Sequence, residues 1–264
     1  GTAKSADLPG GQKTAGGSDF WLVRVAKDGA LLLSKTFGGS GSEIARAIAP
    51  LADGGFALVG SSKSADLPGG QKTAGGSDFW LVRVAKDGAL LWSKTYGGSG
   101  NDEAIAVASL AGGGFALAGY TQSTDLPGGQ KTAGAADFWL VRVGQDGALL
   151  WSKTYGGSGH DLAYAIAPLG DGGFALAGNT LSIDLPGGQK TAGGSDFWLV
   201  RVSKDGAFLW SKTFGGSGHD VAYAMAPLAD GSFALAGETS SADLPGGQKS
   251  AGGSDFWLVR VSKD

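Results

Sequence analysis

A single period of 59 residues runs through the chain, and it constrains the fold more than any other property. The motif DFWLVRV starts at Asp19, Asp78, Asp137, Asp196 and Asp255, with no insertion between copies. The longer segment DLPGGQKTAGGSDFWLVRV, from Asp7, returns with few changes at Asp66, Asp125, Asp184 and Asp243. In phase from the first residue, repeats cover 1–59, 60–118, 119–177 and 178–236, with a partial fifth copy at 237–264. A repeat of this length is one supersecondary unit that buries its apolar face against its neighbours, so 1–264 is read as one domain.

Within one period four short segments have strand character, separated by Gly and Asp turn signals. In the second copy they are AIAVASL (104–110), FALAGYT (115–121), FWLVRV (138–143) and ALLWSKTY (148–155), labelled A to D in order. The turns ADGG, GDGG, KDGA and QDGA stand between consecutive segments, and their glycines accept positive φ without a Cβ clash. No segment holds a 3.6-residue apolar period with caps, so the class is all-β, with helix content near zero. A four-stranded antiparallel unit repeated about four times predicts a β-propeller, whose ring leaves few exposed edges. FWLVRV and ALLW read as continuous apolar runs, as strands covered on both faces do. Strand A is rich in alanine (Ala45, Ala47, Ala49, Ala104, Ala106, Ala108), which suits the crowded centre of a ring with few blades. Four blades are favoured, with five blades, or closure by strand exchange between chains, as alternatives.

The chain holds four A, four B, five C and four D strands, one more than four blades need. A closing blade would take A and B from 222–237 and D from 30–37, and the C strands 20–25 and 256–261 would compete for one slot. The strand left over would be free to pair with a second molecule.

Composition removes several function classes. With 42% hydrophobic residues the chain can bury a core, and 50 glycines fit its many turns. Twenty-one basic and 24 acidic residues are interspersed, so no basic footprint for nucleic acid or an anionic membrane is present. There is no cysteine, hence no disulfide and no thiolate metal site. No apolar run is long enough to insert in a membrane as a helix, and GTAKSADLPGG has neither the basic nor the apolar part of a signal peptide.

The layout GGSGHDLAYAIAPLGDGGFALAGNTLSIDLPGG, followed by GGSDFWLVRVSKDGAFLWSKTFGGSG, resembles the bacterial and archaeal β-propeller repeats of the SBBP type. The resemblance covers all four periods and implies a propeller in an extracellular or cell-surface setting. It brings no catalytic motif. Copies this alike point to recent amplification or to design.

Because the copies are so alike, their differences are informative, and these gather in two windows. After strand B, Thr2, Ser61, Tyr120, Asn179 and Glu238 share one position. At the start of strand A, Ser42, Asn101, His160 and His219 share a second, and Arg46, Ile105, Tyr164 and Tyr223 a third. In an antiparallel pair the start of A and the end of B lie at the same edge, so both windows fall on one face with the long B–C connection. Loops held by a rigid scaffold are where binding usually resides. The expectation is a non-enzymatic binding or adhesion module whose glycan or protein ligand meets this face; a structural or engineered scaffold that self-assembles is the alternative.

Two further constellations carry chemistry. Ser158, His160 and Asp161, and again Ser217, His219 and Asp220, have the residue types of a hydrolase triad. Neighbours on one glycine turn do not converge as nucleophile, base and orienter must, which leaves a hydrolase a distant third. Glu43, Asp102, Asp161 and Asp220 precede strand A in every copy and could ring a channel mouth around a hard cation; the alternative is that each caps its own loop amides. No cofactor is otherwise implied. The Arg column (Arg24, Arg83, Arg142, Arg201, Arg260) and the Trp columns read as structural, through ion pairing and packing between sheets.

Overall fold

The structure, a computed structural model, describes every residue except 6, 11–15, 71–74, 129–133, 188–192, 247–252 and 263–264. The middle of each long B–C connection therefore lies outside the described residues. The described residues are all-β with no helix, and they form repeated antiparallel sheets.

The first sheet has three strands, β1 (Thr2–Ala3), β2 (Asp19–Val25) and β3 (Leu31–Phe37). Three four-stranded sheets follow in chain order. One contains β4 (Glu43–Pro50), β5 (Phe56–Ser62), β6 (Asp78–Val84) and β7 (Leu90–Tyr96). The next contains β8 (Asp102–Ser109), β9 (Phe115–Thr121), β10 (Asp137–Val143) and β11 (Leu149–Tyr155). The third contains β12 (Asp161–Pro168), β13 (Phe174–Thr180), β14 (Asp196–Val202) and β15 (Phe208–Phe214). The last sheet has three strands, β16 (Asp220–Pro227), β17 (Phe233–Thr239) and β18 (Asp255–Val261). By contacts the chain divides into two compact units: Gly1–Leu117 with Ser123–Pro127 and Arg142–Leu150, and Ala118–Gln122 with Gly128–Val141 and Trp151–Asp264.

The strands form where the sequence alternates bulky β-formers with turn glycines. At the C–D hairpin of the second sheet the Gly88 amide donates to Ala85 O at 3.0 Å, and Gly88 sits at φ +79°, the left-handed region that its missing side chain permits. In the first unit Phe20 and Trp80 meet with ring centroids 4.5 Å apart, and Trp92 meets Phe115 at 6.0 Å. In the second, Phe138–Trp198 and Phe197–Trp257 stand at 4.5 and 4.7 Å, and Trp151–Phe174 and Trp210–Phe233 both at 6.1 Å. Both Trp columns thus pack between consecutive sheets. Leu33, which replaces Trp in the first copy, packs against the cluster containing Phe20, Leu58 and Trp80.

The terminal strands pair with their neighbours along the chain. Strand D at its N-terminal copy, β3, pairs with β2 through Phe20↔Phe37 to Val25↔Leu31, and β18 pairs with β17 from Thr239↔Asp255 to Phe233↔Val261. Each of these two C strands, β2 and β18, is hydrogen-bonded within its own three-stranded sheet. Proximity along the chain favours such pairings, because closure entropy grows roughly as (3/2)RT ln n.

Candidate functional site

Register places the two variable windows at one end of each sheet. In the second sheet Ile44 faces Ser61 and Glu43 faces Ser62; in the fourth Leu162 faces Asn179, and in the last Val221 faces Glu238. The loops there are tied together by the aspartate that opens DLPGG in the last four copies. Asp66 Oδ1 accepts from the Ser40 amide at 2.8 Å and its hydroxyl at 3.0 Å, and Asp125, Asp184 and Asp243 repeat this with Ser99, Ser158 and Ser217. The Ser158 hydroxyl of the GSGHD turn is therefore turned to Asp184.

The carboxylates expected around a cation are fully buried and hold their own loops. Glu43 accepts from the Gly39 amide (3.0 Å) and the hydroxyls of Ser62 (2.9 Å) and Ser64 (2.6 Å). Asp102 accepts from Gly98 N and Ser123 Oγ, Asp161 from Gly157 N, Thr180 Oγ1 and Ser182 Oγ, and Asp220 from Gly216 N and Ser241 Oγ. This is the capping arrangement, in which a carboxylate takes loop donors. Among the described residues no three His, Asp or Glu side chains gather as ligands for one ion.

A second row of buried acids, not singled out from the sequence, lies beside the first. Asp19, Asp78, Asp137 and Asp196 head the C strands and are fully buried. A Cβ on Gly97 would stand 2.3 Å from Asp78 Oδ1 and 2.8 Å from Asp102 Oδ2, which is why glycine follows strand D. The available signal was an aspartate that begins the strand DFWLVRV in all five copies.

The third variable position has a backbone cause. Pairing of β4 with β5 slips between Ala45 and Ala47, of β12 with β13 between Ala163 and Ala165, and of β16 with β17 between Ala222 and Ala224. Arg46, Tyr164 and Tyr223 are the extra residues of these β-bulges, a device that re-aims a side chain out of the ladder. Glycine opposite the bulge is required: a Cβ at Gly60, Gly178 or Gly237 would lie 1.8, 1.9 or 1.8 Å from the carbonyl oxygen of Ile44, Leu162 or Val221.

Several variable residues meet. Tyr164 and Tyr223, on consecutive sheets, stand edge to face at 5.3 Å, and Tyr223 donates its hydroxyl to Glu238 Oε1 at 2.7 Å. That bond and burial push the Tyr223 phenol up to about 12. Arg46 pairs with Glu103. His219 Nδ1 accepts from the Ser195 amide at 3.2 Å, and Asn101 Oδ1 accepts from Ser77 in the same way. His160 and His219 are exposed, whereas Tyr120 and Ile105 are half-buried and Ser61 is buried. Asn179 is buried too, and its side-chain oxygen has no hydrogen-bond partner among the described residues.

The acids of this end respond to pH in opposite senses. The Ser158 amide and hydroxyl hold Asp184 below the ordinary carboxylate value of 3.8, so that tie contributes fully above 3.8 and is lost as pH falls through the lowered value. Burial raises Asp161, whose contribution is complete below 3.8 and declines as pH rises through its raised value. The expected result is an Asp184 titration midpoint below 3.8 by carboxyl NMR that moves upward in Ser158→Ala; an unmoved midpoint would remove the assigned cause.

No family model matches the chain. It is similar to the regulatory protein FlaEY of Caulobacter vibrioides, with 27% identity over 209 residues, and the match takes in 73% of this chain but only 22% of that protein.

Proposed function

We propose that the chain is a non-enzymatic binding module in which the sheets act as blades of a β-propeller and the variable loop end takes the ligand. The observation that carries this is the bulge row. A repeated backbone device turns Arg46, Tyr164 and Tyr223 out of their strands at a position where the copies differ. Tyr223 is half exposed, and the Tyr164–Tyr223 pair beside Glu238 offers an aromatic surface with a hydrogen-bond acceptor, the chemistry that holds a glycan ring or a peptide aromatic. A cell-surface setting follows from the likeness to SBBP-type repeats. The test is a glycan array and a protein-ligand screen on the intact chain, followed by Tyr164→Ala with Tyr223→Ala. A hit weakened about tenfold or more by the pair, about 1.4 kcal/mol, is expected. Binding that ignores both tyrosines would overturn the assignment.

A second reading, self-assembly, has its own observation. Val23 (41% exposed) and Val25 (58%) on β2, and Phe256 (76%) and Leu258 (63%) on β18, are uncovered, while Val82, Val84, Phe138 and Leu140 at the same phase are buried. These are the two halves of the packing that Phe20 and Leu22 make with Trp80, Val82 and Val84. Mass in solution should then rise with concentration and fall to one chain in Phe256→Glu; a single-chain mass throughout removes this reading.

A further inference from the structure

The A–B hairpins lie at the other end of the sheets, where the sequence looks uniform. In three of them an aspartate meets the arginine of the C strand: Asp53 with Arg83, Asp171 with Arg201, and Asp230 with Arg260. The hairpin after β8 reads AGGGF and has Gly112 where the others have that aspartate.

Arg142 keeps the rest of the arrangement. Its Nη1 donates to Val143 O and Phe115 O, as Arg201 Nη1 does to Val202 O and Phe174 O. The difference is at Nη2. Arg201 Nη2 reaches Asp171, whereas Arg142 Nη2 turns to the Gly113 carbonyl at 3.3 Å, a long bond to a neutral acceptor. Arg142 is half-buried, and burial lowers its pKa.

Space exists for the missing group. A Cβ on Gly112 would meet nothing within 4 Å. A cavity of about 630 Å³ in the first unit is lined on one side by Gly112, Gly113, Gly114 and Phe115, with Gln145 where the equivalent hairpins carry Lys86 and Lys204, and on the other by the Asp53–Arg83 pair; Arg142 stands behind the glycines, its Nη1 2.8 Å from where a Cβ on Gly114 would lie.

We propose that this hairpin is a carboxylate-binding site, in which a ligand carboxylate takes the seat that Asp53, Asp171 and Asp230 occupy elsewhere and pairs with Arg142. The ligand's two oxygens would replace the long bond to Gly113 with a charge-assisted one, which is shorter and roughly twice as strong as a neutral bond. The site is separate from the variable loop end and stands whether or not that end binds a ligand.

The experiment is an NMR titration of the intact chain with acetate and with a blocked aspartate, N-acetylaspartate N-methylamide, against chloride at equal ionic strength. Saturable shifts at the amides of Gly112, Gly113 and Gly114 and at the Arg142 side chain are expected in the millimolar range with either carboxylate. Gly112→Asp should abolish them by supplying the carboxylate from within, and should raise the melting temperature, which separates displacement from misfolding. Arg142→Gln should weaken the carboxylate about tenfold or more. The absence of saturable shifts in the wild-type chain, equal shifts with chloride, or shifts that persist in Gly112→Asp would each overturn the proposal.

Discussion

Trp198→Ala should lower stability by about 3–5 kcal/mol, the usual range for emptying a buried aromatic site. Trp198 is fully buried, and its ring meets Phe138 of the preceding sheet at 4.5 Å, so the cavity falls between two sheets and neither can close it alone. Its effect should therefore appear in both. Amide exchange would speed up in β10 as well as in β13 to β15, and the urea midpoint would fall, while Leu181→Ala on an exposed loop leaves both unchanged. Exchange confined to β14 would contradict the view that the sheets are stabilised by one another.

A comparable loss, about 3 kcal/mol or more, is expected for Gly178→Ala, although it adds a single methyl group. The new Cβ would stand 1.9 Å from Leu162 O and 2.9 Å from Ala163 Cα, both backbone atoms that no rotamer change can move. The bulge at Tyr164 must then flatten. Flattening shifts the strand by one residue and sends alternate side chains to the wrong face. The measurable outcome is loss of the Tyr164–Tyr223 ring contact, seen in the ring NMR shifts, together with a lower melting temperature. Gly172→Ala, a glycine at φ +83° in a hairpin with room for a Cβ, should cost much less, about 1 kcal/mol.

The sheets were legible in the sequence because strand and turn are local properties. FWLVRV between two glycine-rich turns predicts a strand wherever it occurs, and β2, β6, β10, β14 and β18 all contain it. The shared edge of the two variable windows was equally legible, since antiparallel pairing alone requires it. The bulge was not. AYAIAP looks like six consecutive strand residues, and only the glycine of FALAG, read against the facing strand, betrays that one residue too many is present. The role of the acids was also hidden, because Asp78 and Asp102 are 24 residues apart and meet only when the sheet is built. Gly112 was visible throughout as a departure from ADGG and GDGG. Its meaning depends on the guanidinium that reaches the same corner in the other sheets.

The loop-end ties are confined within a period: Ser158 to Asp184 spans 26 residues, and Ser182 to Asp161 spans 21. A genetic crossover between two copies in phase would therefore exchange a bulge residue without breaking any of these bonds. Each exchange delivers a new side chain at the loop end on a support already complete. A gene built this way can vary its recognition surface by shuffling its own repeats while these ties are kept.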